Sequence, residues 1–382
     1  MNPTPPSPAR LTVSPDGRVA IDRPPGADRL LLPALVNAHA HLELHRIGPL
    51  DHDPDAGFVG WVRSLRQHLP RLSPDDPAYT RWYTEGIAQA AAACREQGVG
   101  AVGDITRFRT EGAAPIEAAS LRGVSYYEAY GLGSPYADHD VAAIHDLPEN
   151  AGRVRHGVQP HAPYSAGPPV FQAACEADRP RCTHLSEMVE EIEFVARATG
   201  PFRDFLESIN KWDNAFASAY SQGLTPVAWM LPYLRQRPWL LAHCNYLTDD
   251  DIALLAGLPD HARVSIAYCP IASEYFGHRD HRYRDLLAAG VNVCLGTDSI
   301  ACQPPDEHQP YAILQQMRRL YRRDATDPAT LVRMATLHGA RALHLDGLDF
   351  TTPFASVAIN PDDPTDPLVQ ALRNDRLVES LR

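Results

Sequence analysis

Apolar residues fall in short runs along this chain, and longer stretches with helical spacing separate them. The runs are 30–36, 99–105, 124–130, 154–159, 180–184, 239–243, 263–268 and 291–295. Nearly continuous in apolar residues, they read as strands covered on both faces. Between them lie Ala-, Leu- and Arg-rich stretches such as 79–97, 170–177, 249–256 and 282–289. Alternation of this kind predicts βα units and a parallel sheet, and eight units predict an α/β fold, a closed (β/α)8 barrel of the TIM type.

Two regions break the rhythm. The segment 201–236 after the fifth run is long enough for two or three helices, which would shape or cover one side of the barrel mouth. The chain ends carry short β-like pieces at 11–13, 19–21 and 356–359 among many prolines. Residues 1–29 and 346–382 are therefore expected to form one small composite β subdomain beside a barrel of residues 30–345.

Composition narrows the function. Across 382 residues, 35 Lys+Arg against 47 Asp+Glu leave a net charge of −12, which argues against nucleic acid or an anionic membrane as partner. No run of about 18 apolar residues predicts a membrane span. Cys94, Cys175, Cys182, Cys244, Cys269, Cys294 and Cys302 are odd in number, lack a C-x-x-C pair and read as reduced core thiols. The start, Met1-Asn2-Pro3-Thr4-Pro5-Pro6-Ser7-Pro8, has no charged leader before an apolar stretch, so a cytoplasmic protein is expected. Its oligomeric state stays open, a homodimer included. Lys211 is the single lysine, so phosphate-binding loops, Schiff-base cofactors and carbamylated-lysine metal bridges must use it or be dropped.

In such a barrel the chemistry belongs at the C-terminal ends of the strands. The first run leads into Asn37-Ala38-His39-Ala40-His41-Leu42-Glu43, where two histidines at strand spacing point the same way and can share an ion. The fourth leads into His161, the fifth into His184-Leu185-Ser186-Glu187, the sixth into His243 and the eighth into Gly296-Thr297-Asp298-Ser299. Each alone has an ordinary explanation. A lone H-x-H pair is weak, Glu187 suits a helix start, His243 beside Cys244 suits a satisfied buried histidine, and Asp298 suits a helix N-cap. Five histidines and two acids at the ends of five of the eight strands are what carry the argument. Imidazoles with a carboxylate suit one divalent ion, Zn²⁺ first and Fe²⁺ second, which lowers the pKa of a bound water toward ~7. A carboxylate not binding the ion, Glu187, can then move protons.

These segments, with Leu32-Pro33-Ala34-Leu35-Val36 before the first and Tyr268-Cys269-Pro270 before the last, resemble the amidohydrolase superfamily, in its deaminase and chlorohydrolase branch. The resemblance implies that His39, His41, His184 and Asp298 bind one metal ion. It also implies that Glu187 shuttles protons and that His243 orients the attacking water. Relatives with two metals use a carbamylated lysine at the end of the fourth strand, where this chain has Gln159-Pro160-His161. One ion is therefore expected.

Residues 160–165 are similar to the matching segment of deaminases acting on adenosine derivatives, which makes His161 a substrate-orienting candidate. Residues 184–191 and 200–206 are similar to aminodeoxyfutalosine deaminase-like proteins of the menaquinone route. The expected substrate is thus a small heterocycle, an adenine nucleoside derivative with 6-amino-6-deoxyfutalosine as the leading one. The expected mechanism sends hydroxide to the amino-bearing ring carbon and releases ammonia. Trp61, Arg107 and Arg109 follow the first two strands and are expected to line the pocket. A guanine- or triazine-type deaminase or chlorohydrolase, a zinc amide hydrolase and a catalytically dead scaffold relative are the alternatives. Ala34, Ala40 and Ser356 depart from the family pattern, and Ser356 bears on the terminal subdomain rather than on the site.

Overall fold

The computed structural model describes residues 7–149 and 152–381. Residues 1–6, which carry most of the proline-rich start, lie outside the described residues. The strands are β1 (Ala9–Val13), β2 (Val19–Asp22), β3 (Arg29–Leu32), β4 (Leu35–Ala40), β5 (Val99–Thr106), β6 (Arg122–Ala129) and β7 (Val154–Pro160). They continue with β8 (Cys182–Leu185), β9 (Leu240–His243), β10 (Ser265–Tyr268), β11 (Asn292–Leu295), β12 (Ala355–Ala358) and β13 (Val378–Ser380). β4 to β7 form one parallel four-stranded sheet and β8 to β11 another. Helices follow most of these strands, which are buried on both faces as their apolar runs require.

The two sheets meet at two seams, each held by an isolated parallel bridge rather than a ladder. One bridge joins Val158 to Arg181 and the other joins Ala40 to Asp298. At the first seam His184 N donates to His161 O at 2.9 Å. At the second, His39 O accepts from Thr297 N and Asp298 N, both at 3.0 Å. Asn37, fully buried, reinforces it: its Nδ2 donates to Thr297 Oγ1 at 2.7 Å and its Oδ1 accepts from Thr297 N at 3.1 Å. The seams thus fasten together the same segments that carry the histidines.

One predicted strand is two. The run 30–36 breaks at Pro33, which has no N–H for a ladder. Residues before the break pair with β1 and β12, and residues after it enter the barrel. β3 therefore lies in a second, five-stranded sheet ordered β13-β12-β3-β1-β2, which draws on both chain ends. β13 gave no signal in the sequence, being three residues long with alternating burial. The segment 201–236 holds the helix Pro201–Ser208, a 3-10 turn at Asn214–Ala219 and the helix Pro226–Leu234. Among the described residues no helix is long and apolar enough to cross a membrane, and all seven cysteines are buried free thiols.

Replacing Asn37 with Ala removes both side-chain bonds across a seam that has no ladder. The expected cost is about 1–3 kcal/mol of folding stability, read as a lower urea midpoint. A variant as stable as wild type would remove this contact from the account of closure.

Candidate metal and catalytic site

The β4–β5 ladder slips between Asn37 and Ala40, and such irregularities re-aim side chains at strand ends. His39 lies inside this irregularity and His41 just past the strand end, yet their rings converge at 5.1 Å between centroids. The turn after His41 is tied to β5. Buried Asp104 accepts from Leu42 N at 3.0 Å, while Glu43 accepts from Thr106 Oγ1 and Arg107 N, each at 3.0 Å.

His39, His41 and His184 place a ring nitrogen each within 4.8 Å of one another, and a nitrogen each of His39 and His243 lie equally close to one another and to an Asp298 carboxylate oxygen. His41 Nε2 is 3.3 Å from His184 Nε2 and 3.5 Å from Asp298 Oδ1, and His39 Nε2 is 3.8 Å from the same oxygen. Ligands held tetrahedrally at ~2.0–2.1 Å from zinc stand ~3.3–3.5 Å apart, so these separations suit a shared ion. Neither ring nitrogen of His39, fully buried, has a hydrogen-bond partner among the described residues. His184 Nδ1 is 3.0 Å from His161 O; donating there, it turns Nε2 toward His41. Burial holds His39 and His184 well below the ordinary histidine value, with neighbouring imidazoles adding to the effect. Neutral imidazoles are the form that binds metal. The residue set therefore fits a divalent ion.

Beside this cluster, His243 Nε2 stands 3.6 Å from Glu187 Oε1, with both side chains buried. Burial first, then the Asp298 and Glu191 carboxyls, push the Glu187 carboxyl well above the usual carboxylate range. Burial brings His243 down to about 4 against the opposing pull of Asp298. The ordinary roles considered for these acids are taken by others. Ser299, not Asp298, caps the 3-10 turn Ile300–Cys302, and Met188, without a side-chain bond, precedes the helix Val189–Arg197.

A second layer holds the Glu187 peptide. Glu191, fully buried, accepts from Ser186 N and Glu187 N, each at 3.0 Å. Asn245 Nδ2 donates to Glu187 O at 3.0 Å, and Ser273 Oγ donates to Asn245 Oδ1 at 2.9 Å. His281 Nε2 donates to His243 O at 2.7 Å, and Cys302 Sγ donates to Asp298 Oδ2 at 3.4 Å. The sequence reading missed this layer. Only Glu191 carried a signal, four residues after Glu187 on the same motif.

The expected pocket residues divide. His161 is in the cluster, its ring 4.9 Å from that of His184. Trp61 stacks on Phe58 of its own helix, Gly57–His68, at 5.6 Å and meets Phe276, just past the helix Pro270–Tyr275, edge-on at 5.1 Å. Arg107 is held by Glu43 and the tyrosines of the helix Pro77–Glu96. Its Nε and Nη2 donate to Glu43 Oε1 at 2.9 and 2.8 Å, its Nη1 donates to Tyr79 Oη at 3.0 Å, and it lies 4.0 Å over the Tyr83 ring. With those donors taken by buried acceptors, Arg107 braces the first loop. Arg109 is exposed, and its charge acts on Tyr127.

His281 offers a pH test. Burial depresses it from 6.5 to about 3, so it folds neutral while the unfolded chain binds a proton below 6.5. Its contribution is complete above pH 6.5 and is lost as pH falls toward 3. Wild type should lose stability more steeply over that window than His281→Gln, measured by chemical denaturation at each pH. Parallel slopes would contradict the assignment.

The likeness of this chain to known proteins agrees with that geometry. It is 27% identical over 370 residues to a 5-methylthioadenosine/S-adenosylhomocysteine deaminase of Nitratidesulfovibrio vulgaris, covering 90% of this chain and 74% of that protein. It is 27% identical over 346 residues to an aminodeoxyfutalosine deaminase of Deinococcus radiodurans, covering 83% and 74%. The fold is similar to that of Helicobacter pylori aminofutalosine deaminase, solved in complex with methylthio-coformycin. The TM-score there is 0.72 at 19% identity, over 92% of this chain and 85% of the other. The model of the Amidohydrolase family matches residues 30–348, all eight barrel strands and the whole histidine cluster included, and the chain belongs to that family.

Proposed function

We propose that the protein is a metal-dependent hydrolytic deaminase of an adenine-containing nucleoside derivative, with 6-amino-6-deoxyfutalosine as the leading substrate. The observation that carries this reading is the buried Glu187–His243 pair at 3.6 Å, set against the grouped side chains of His39, His41, His184 and Asp298. A buried carboxyl that can give and take a proton next to a candidate metal-ligand set is what displacement of ammonia from an aromatic ring requires. The named relatives, deaminases of methylthioadenosine, S-adenosylhomocysteine and aminodeoxyfutalosine, support the substrate class.

His39, His41, His184 and Asp298 would hold the ion, zinc by the donor set and iron(II) as the second choice. When bound, such an ion lowers the pKa of water toward ~7 and makes a nucleophile available at neutral pH. Asp298 takes the proton that the attacking water releases. Glu187, whose carboxyl is pushed above the usual carboxylate range by burial and then by Asp298, delivers a proton to the ring nitrogen next to the attacked carbon. His243 faces the same side and steadies the oxygen as charge develops on it. His161 contacts the heterocycle. Glu191 and Asn245 keep the Glu187 peptide in place throughout.

Glu187→Gln preserves shape and removes the transferable proton. Ammonia release from adenosine derivatives should fall by about 10²–10⁴-fold, with metal content unchanged by elemental analysis. A variant that deaminates at the normal rate would show Glu187 is not the acid. A wild type that releases ammonia only from guanine or triazines would move the substrate class.

A further inference from the structure

Glu128 is the next-to-last residue of β6. Its side chain is 10% exposed, and its Oε2 accepts from the Tyr130 hydroxyl at 2.5 Å. Its Oε1 is buried and has no hydrogen-bond partner among the described residues. The nearest candidate, His161 Nε2, stands 3.8 Å away, too far for a hydrogen bond. Leaving a carboxyl oxygen buried without a donor is costly, so a donor is expected from whatever enters the site.

The position of that oxygen narrows the donor. A Glu128 oxygen, a His161 nitrogen and a His184 nitrogen all lie within 4.8 Å of one another. A second cation would find too few ligands there. His184 Nδ1 lies against His161 O at 3.0 Å and its Nε2 against His41 at 3.3 Å, which leaves one carboxyl and one imidazole. Tyr130 stacks on His161 at 4.9 Å between centroids and is 42% exposed, so this corner opens toward solvent. A substrate whose reacting carbon sits over the cluster brings the groups on that carbon beside Glu128.

We propose that Glu128 Oε1 accepts an N–H of the exocyclic amino group that leaves as ammonia, and so selects amino-substituted over halogen-substituted rings. This rests on the deaminase reading above. Water supplies the oxygen of the new C–O bond, the C–N bond breaks, and the nitrogen departs with the protons moved by Asp298 and Glu187. Glu128 transfers none. It holds the amino group in line and has nothing to accept from a chlorine in its place.

The test compares wild type, Glu128→Ala and Glu128→Gln on 5-methylthioadenosine, its 6-chloro counterpart and its 2′,3′-dideoxy counterpart. Metal content and the unfolding midpoint are followed in parallel. For Glu128→Ala, kcat/KM on both amino substrates should fall by about 10- to 100-fold. The chloro substrate should change by less than about threefold, with metal retained. Glu128→Gln keeps a carbonyl acceptor and should lose less, and it carries the comparison if the alanine variant fails to fold. Equal losses on amino and chloro substrates, or no loss on either, would overturn the proposal. A loss that disappears only with the dideoxy substrate would place the donor on the sugar and overturn it as well. A wild type inactive on all amino nucleosides is a different outcome, which removes the deaminase reading and this inference with it.

Discussion

Four imidazole rings and a carboxylate share one buried volume at the strand ends, and the rest of the molecule is arranged around the cost of keeping them there. The rings of His39, His41, His184 and His243 lie 5.1–5.4 Å from one another in the pairs that touch. Burial holds His39, His184 and His243 below the ordinary histidine value, and charging one would meet the others at close range. Uncharged and short of partners, they are poor structural residues. As candidate ligands they are in the form that binds an ion, and a bound ion would offset their burial.

Backbone strain gathers in the same place. Ser186, His243, Cys244 and Asp298 adopt left-handed φ values of 50°, 70°, 54° and 60°. Each such residue costs on the order of 1–3 kcal/mol and persists only where its surroundings over-determine it. Those surroundings are visible. Glu191 and Asn245 hold the Ser186–Glu187 peptide, His281 holds the His243 carbonyl, and the seam to β4 holds the Asp298 N–H. The closing seam of the barrel and the positioning of Asp298 are one set of bonds, so the closure of the barrel and the geometry of the site depend on each other.

The barrel strands and the gathering of histidines at their ends were legible in the sequence because both rest on local patterns. A doubly covered strand writes a continuous apolar run, and a ligand at its end follows that run directly. What failed to show depends on contacts across the fold. Glu128 lies inside the run 124–130, where a single glutamate has many ordinary explanations, and its orphaned oxygen is visible only once His161 is beside it. His281 lies in a loop without pattern and matters because it reaches the His243 carbonyl. Arg107 stands after its strand as expected, but that its guanidinium is held by Glu43 and Tyr79 is visible only in the fold. The division of 30–36 was readable from Pro33, whose missing N–H ends one sheet and starts another.

The central claim is that this cluster exists to hold a single divalent ion. Elemental analysis of the purified protein, paired with thermal unfolding before and after chelation, tests it most directly. The account predicts about one ion per chain, a Tm that falls when the ion is stripped and recovers when zinc returns, and loss of both ion and shift in His39→Ala. A protein that carries no ion, binds none when zinc is supplied and unfolds at the same temperature with or without chelator would contradict it.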